Sequence, residues 1–268
     1  MNTNTDKKIA IVTGGNSGIG LYTARSLYNA GCIVYELSRR DIKTSGITHI
    51  YTDVTDEELV SKAIEQILEK EGRIDILVNC AGFGISGAVE FTQSIDAKKQ
   101  MDVNFFGIVN MNKAVLPIMR KNGQGRIVNI SSVAAIAPIP FQTYYTASKA
   151  AINAYSAALA NEVKPYGISV TAVLPGDIAT GFTDARNKSI VGDSEYDGRI
   201  SRSVAKMEQD ERNGMQPEKA GAYITKIALK KNVKPLYTIG LTYKFISLLV
   251  KIFPCRLTNK LIGILYSR

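Results

Sequence analysis

Short apolar runs along the chain alternate with longer stretches in which apolar residues recur at helical spacing. Ile9 to Thr13, Ile33 to Leu37, Thr48 to Tyr51, Ile74 to Asn79, Arg126 to Ser131 and Ile168 to Leu174 read as strands, with Pro235 to Gly240 a seventh. Four stretches read as helices. They are Ile19 to Ala30, closed by Gly31; Asp56 to Glu71, acidic in its first turn; Tyr145 to Lys164, stopped by Pro165 and Gly167; and Pro217 to Lys230. The strands are nearly continuous in apolar residues, as a parallel sheet covered on both faces requires. The alternation predicts an α/β fold: a doubly wound Rossmann sheet of about seven strands, with helices on both faces and right-handed crossovers.

No repeat, low-complexity tract or linker divides the chain, and 268 residues suit one domain. Its expected parts are a cofactor-binding and catalytic core over about 8–180, a polar substrate loop or helix pair over 181–216, and a helical C-terminal extension over 241–268. That tail mixes Phe245, Ile246, Leu248, Leu249, Val250, Ile252 and Phe253 with Lys244, Lys251, Arg256 and Lys260. A lid or subunit contact is the expected role. The alternative is a basic amphipathic element lying on an anionic membrane, since its apolar runs are too short to span one.

Composition narrows the function classes. Hydrophobic residues make up 45% and charged residues 21%, the balance of an ordinary globular protein. Met1 to Lys8 is polar and does not resemble a signal peptide. Cys32, Cys80 and Cys255 lie far apart, without metal or redox spacing, so free thiols in a reducing cytoplasm are expected. His49 is the only histidine, which argues against a metal site and a hydrolase triad; it is expected at the surface beside a strand. The net charge is +9, but Lys and Arg are spread rather than clustered. That favours an anionic cofactor, and an anionic substrate, over nucleic acid.

The chemistry starts at Thr13-Gly14-Gly15-Asn16-Ser17-Gly18-Ile19-Gly20, between the first strand and the first helix. A backbone without Cβ atoms can approach a pyrophosphate, and the helix N-terminus offers N–H donors and partial positive charge. The spacing T-G-x-x-x-G-x-G, with Asn79-Cys80-Ala81-Gly82 after the fourth strand, resembles the short-chain dehydrogenase/reductase family over about residues 8–180. That family resemblance implies dinucleotide contacts at Gly14, Asn16, Ser17, Gly18, Ile19, Gly20, Asn79, Ala81 and Gly82. It also implies an adenine contact at Asp53 and Val54.

An acidic side chain at the end of the second strand would bind the ribose hydroxyls of NAD and repel a 2′-phosphate. Here Ser38 stands there, followed by Arg39 and Arg40. A small hydroxyl beside guanidinium groups suits the 2′-phosphate of NADP(H), the expected cofactor.

Tyr145 and Lys149 stand at i and i+4, so on a helix they share a face. A free phenol titrates near pH ~10, and a nearby ammonium favours its anion. The pair therefore suits general acid–base work. The family resemblance adds Ser132, which orients the substrate oxygen, and Asn104, which holds a water linking the lysine to solvent. It also adds Pro175, Gly176, Ile178 and Thr180 around the nicotinamide carboxamide. Its spacing selects Ser132 over Ser131, and Tyr145 over Tyr144.

The implied activity is hydride transfer between NADP(H) and a secondary alcohol or ketone. Candidate substrate contacts are Ser132, Tyr145, Phe83, Phe141 and Phe182, with Ile136 and Ile139; the apolar ones could equally be core. The sequence resembles the hydroxysteroid and retinol dehydrogenase branches, which implies a lipophilic substrate such as a hydroxysteroid or an anionic bile acid. The alternatives are a 3-oxoacyl-carrier-protein reductase and a retinol-type dehydrogenase. The resemblance further implies a homodimer or homotetramer.

Overall fold

The computed structural model describes residues 7–266. Expectations for Met1–Asp6 and for the last two residues of the tail lie outside the described residues. In chain order the elements begin β1 (Ile9–Thr13), α1 (Gly18–Asn29), β2 (Ile33–Ser38), β3 (Ile47–Tyr51), α2 (Glu57–Glu71) and β4 (Ile76–Asn79). They continue with β5 (Ile85–Ser86), α3 (Ser94–Met101), α4 (Gly107–Lys121), β6 (Gly125–Ile130), α5 (Thr143–Val163) and β7 (Ile168–Pro175). The last part holds α6 (Phe182–Ala185), β8 (Asn187–Lys188), α7 (Arg199–Arg212), α8 (Pro217–Ala228), β9 (Leu236–Ile239), α9 (Leu241–Ile252) and α10 (Cys255–Tyr266).

Seven strands form one parallel sheet in the order β3-β2-β1-β4-β6-β7-β9. This is the Rossmann-type sheet that the alternation predicts. One face packs Ile11, Leu77 and Ile127 against Ile64, Ile67, Met111, Val115 and Leu159 of α2, α4 and α5. The other packs Val12, Val78 and Val128 against Ala24, Leu27, Ile224 and Ile227 of α1 and α8. The strand order reverses between β1 and β4, and a crevice opens there beyond the strands' carboxyl ends.

Two features depart from the sequence reading. The first is the helical run α3–α4, interrupted by a π-helical turn over Asp102–Phe106. Its buried face mixes Gln100, Asn104, Asn110 and Asn112 with Ile108, Met111, Val115 and Met119, so polar positions interrupt the apolar pattern. Each of those amides donates to a partner within the fold; Asn110, for example, donates to the Val54 carbonyl at 3.0 Å, and Gln100 to the Phe83 carbonyl at 3.1 Å. The second is a short parallel pair, β5 with β8, that ties the segment after β7 back to the loop after β4.

His49 departs as well. It is directly opposite Glu36 in the β2–β3 register, and its Nδ1 lies 2.5 Å from a Glu36 carboxylate oxygen. Glu36 is buried. The histidine is therefore a partner to a buried carboxylate and not an idle surface group.

Candidate active site

The turn after β1 is held against the turn after β4. Thr13 Oγ1 accepts from the backbone N–H groups of Cys80 and Ala81, each at 3.1 Å. Gly14 has φ +61°, and a Cβ there would stand 2.9 Å from Ala81 Cα. A Cβ on Gly20 would stand 2.2 Å from the Gly14 carbonyl oxygen. The chain is thus packed to the limit around an open helix N-terminus, the geometry that receives a phosphate.

Around this turn lies a cavity of about 830 Å³, within the usual range for small-molecule and cofactor sites. Its wall includes Gly14, Asn16, Ser17, Gly18, Ile19 and Gly20 at one end, with Ser38, Arg39, Arg40, Asp53 and Val54 beside them. Ala81, Gly82, Pro175, Gly176, Ile178 and Thr180 line its middle. The loop after β2 is braced from two sides: Asn16 Nδ2 and the Ser38 hydroxyl both donate to the Arg40 carbonyl, at 3.1 and 3.0 Å. Arg39 is largely exposed and stands 3.8 Å from Asp53. The carboxylate of β2, Glu36, faces away from this wall and toward His49. A glycine cradle, a helix N-terminus and two arginines at the β2 end fit a dinucleotide.

Tyr145, Lys149 and Ser132 meet on the same cavity wall. The Ser132 hydroxyl caps the turn Val133–Ala135, accepting from Ala134 N at 3.1 Å, and acts on the Tyr145 phenol to favour its ionisation. Ser131 faces the other way and donates to the Lys149 carbonyl at 2.9 Å. Lys149 Nζ donates to the Ile130 carbonyl at 2.9 Å and lies 5.6 Å from the centre of the Tyr145 ring. Burial raises the Tyr145 phenol to about 12, partly opposed by the Ser132 hydroxyl. Burial lowers the Lys149 ammonium to about 8. Both shifts run toward the neutral form because each group is removed from water, and at neutral pH the lysine still holds its proton.

Asn104 and Asn79 sit behind the wall rather than on it. Asn104 is fully buried in the π-helical turn. It accepts from Phe83 N and donates to Phe83 O, both at 3.0 Å, and donates to Ser148 Oγ at 3.1 Å. It therefore fixes the wall at Phe83 and the helix turn before Lys149. Asn79 donates to Asn112 and Asn129, and Asn129 in turn donates to Ser156. That buried network anchors α4 and α5 to the sheet, so Asn79 positions the site without reaching the cavity.

Among the expected substrate contacts, Phe83 and Phe182 line the cavity, and Phe182 lies 5.9 Å from the Tyr145 ring. Phe141 is a correction. It is not on the cavity wall: its backbone turns to φ +60°, its carbonyl accepts from Gly87 N, and its ring packs edge-on to Tyr196 in an apolar cluster behind the wall residues Ile139, Met207 and Tyr266.

Several wall residues escaped the sequence reading. Asp177 and Glu211 line the cavity, as do Tyr243, Ile246, Leu249 and Val250 of α9 and Leu261, Ile262, Leu265 and Tyr266 of α10. The Tyr243 ring lies where a Cβ on Gly176 would be, and its hydroxyl donates to Asp177. The inner face of the tail is thus a wall of the cavity.

Residues 8–190 match the short chain dehydrogenase family. The chain belongs to that family. As a short-chain dehydrogenase it is an oxidoreductase acting between alcohol and ketone groups. A 3-ketodihydrosphingosine reductase of Bacteroides thetaiotaomicron is 47% identical over 228 residues, 84% of this chain and 85% of the relative. Dehydrogenase/reductase SDR family member 7B of Xenopus tropicalis is 36% identical, over 74% of this chain and 71% of its own. A short-chain dehydrogenase from Streptomyces avermitilis has a TM-score of 0.82 at 28% identity, covering 96% of both chains. ElxO, solved with NADP bound, has a TM-score of 0.76 at 28% identity, covering 89% of this chain and 99% of its own. These likenesses do not support the expected hydroxysteroid branch; the first of them is named for a sphingoid ketone.

Proposed function

We propose that this short-chain dehydrogenase uses NADPH to reduce the ketone of a long-chain 2-amino ketone of the 3-ketodihydrosphingosine type. The observation that carries the reading is the joining of two unlike surfaces in one cavity. Tyr145 and Ser132 stand at its polar end, and apolar residues of α9 and α10 extend from them. Leu261 and Leu265 line the cavity and are also 52% and 64% exposed, so its apolar wall runs out to the surface. A long alkyl chain can leave by that route. The likeness to a sphingoid-ketone reductase supports the same substrate class. An anionic bile acid fits poorly, because two carboxylates, Asp177 and Glu211, share the wall.

NADPH, when bound, supplies the hydride. The residues suited to hold it are those of the glycine turn, Asp53 and Val54 at the adenine end, and Gly82, Pro175, Gly176, Ile178 and Thr180 toward the reacting end. Arg39 and Arg40 are suited to a 2′-phosphate, since each guanidinium can give paired hydrogen bonds. Tyr145 holds its proton at neutral pH because its burial disfavours the phenolate. It is therefore poised as an acid, the role that reduction needs. The carbonyl carbon gains the hydride, the carbonyl π pair moves to its oxygen, and that oxygen takes the phenolic proton. Ser132 and the Lys149 ammonium then stabilise the phenolate until solvent returns the proton. Asn104 acts by holding Phe83 and Ser148 in register.

The test is turnover of 3-ketodihydrosphingosine by the purified chain, with NADPH and NADH in parallel. The expected product is the 3-alcohol, formed with higher kcat/KM for NADPH. Turnover confined to steroid ketones or short 3-oxoacyl thioesters would overturn the substrate reading.

A further inference from the structure

Beside the Tyr145–Lys149 pair, the cavity carries acidic groups that the hydride-transfer scheme leaves unused. Glu211 is committed: it pairs with the buried Arg186 guanidinium and accepts from Thr183 Oγ1 at 2.7 Å. Asp210 pairs with Lys206. Asp177 differs. Among the described residues it takes part in no ion pair, and the Tyr243 hydroxyl is its side-chain donor. Its backbone is pinned, with its carbonyl accepting from Met215 N at 2.9 Å. It lines the cavity with Tyr145, and its charge acts on the phenol.

Building on the substrate reading above, we propose that Asp177 is the recognition site for the ammonium group of the 2-amino ketone. An amino group next to a ketone is two bonds from the carbonyl carbon. Its nitrogen must therefore lie in the shell of groups around Tyr145. A half-buried carboxylate without a cationic partner is costly, and a cationic substrate would offset that cost while the apolar chain fills the tail-lined wall. Burial, with the neighbouring Glu211 and Asp210, raises the Asp177 carboxyl above its ordinary range, against the opposing pull of the Tyr243 hydroxyl and of Lys206, the cation already paired with Asp210. Tyr243 would then do two jobs, orienting the carboxylate and closing the cavity beside Gly176.

The experiment compares three ketones of equal chain length with NADPH: the 2-amino ketone, its des-amino counterpart and its N-acetyl derivative. For the wild-type chain, kcat/KM for the amino ketone should exceed the other two by at least about 30-fold. In Asp177→Asn that ratio should fall to a few-fold, with the KM for NADPH measured alongside as a check on the neighbouring cofactor wall. Equal turnover of amino and des-amino ketones by the wild type would overturn the Asp177 proposal and leave the long-chain ketone reading standing. An unchanged ratio in Asp177→Asn would overturn it too. Turnover of none of the three would overturn both. If Asp177→Asn does not fold, the wild-type ratios decide.

A second inference rests on a different surface. The outer faces of α9 and α10 expose Leu241 (84%), Phe245 (61%), Ile252 (64%) and Leu265 (64%). Lys244, Lys251, Arg256 and Lys260 are exposed among them, and no acidic residue follows Glu218 in the sequence. No helix among the described residues is long and apolar enough to cross a membrane. We infer that this face lies on an anionic lipid bilayer. An apolar strip rimmed only by cations is complementary to that surface, and it is continuous at Leu261 and Leu265 with the cavity wall. The full chain should co-sediment with phosphatidylcholine vesicles containing phosphatidylglycerol at least about tenfold more than with phosphatidylcholine alone. The double variant Phe245→Glu, Ile252→Glu should lose that binding. No sedimentation, or a dimer in lipid-free solution that the double variant dissociates, would overturn it.

Discussion

Lys149 carries a charge into a place where charge is costly, which makes its replacement informative. The ammonium of an ordinary lysine titrates at 10.5, and burial brings this one to about 8. That difference corresponds to about 3 kcal/mol of folding free energy at neutral pH, spent on keeping the ammonium out of water. Lys149→Met keeps the apolar stem and removes the charge. It also removes the bond to the Ile130 carbonyl, worth about 1 kcal/mol. The variant should therefore be more stable than the parent at pH ~7 by about 2 kcal/mol, while its turnover collapses.

The sign can be checked by pH. Between pH about 8 and 10.5 the unfolded chain binds more protons at this site than the folded chain, so the parent gains stability as pH rises. The variant lacks that gain, and the gap between the two should shrink by about 2–3 kcal/mol by pH ~10. Urea denaturation of both proteins at the two pH values measures it, with tyrosine ionisation common to both. A variant less stable than the parent, with the same gap at both pH values, would refute the claim that Lys149 is a desolvated cation.

Further outcomes follow from the same geometry. Tyr145→Phe should reduce turnover by about 10²–10⁴-fold while leaving NADPH affinity, read by fluorescence titration, near that of the parent. The rate of ketone reduction should fall above pH about 8, as Lys149 loses its proton, and a flat profile to pH ~10 would contradict that. Gly20→Ala sets a Cβ 2.2 Å from the Gly14 carbonyl, so the turn must move; the KM for NADPH should rise at least about tenfold in steady-state assays. Replacing Arg39 and Arg40 together by alanine should raise the KM for NADPH about tenfold or more and change that for NADH little.

The parts legible in the sequence were those encoded by neighbours in the chain. The glycine turn, the Tyr145–Lys149 spacing and Ser132 each lie within one local element, and their contacts follow once a strand or helix is placed. Asp177 was not legible as a wall residue of note, because its partner Tyr243 is far along the chain and Glu211 reaches the cavity only through α7. The helices α3 and α4 were missed because buried amides at Gln100, Asn104, Asn110 and Asn112 interrupt the apolar positions Ile108, Met111, Val115 and Met119, and those amides find their partners only in the tertiary fold. The His49–Glu36 pair needs the strand register to be known. Phe141 looked like a substrate contact by position, and its ring is instead taken up by the cluster with Tyr196 that forms only in the tertiary fold.

The most direct measurement is deuterium transfer. The chain is incubated with 3-ketodihydrosphingosine and NADPH carrying deuterium at the hydride position, and the product is analysed by mass spectrometry. One deuterium bound to carbon at the former carbonyl position is expected, with none transferred by Tyr145→Phe in the same time. A product lacking deuterium at that carbon, or equal label from the variant, would contradict it.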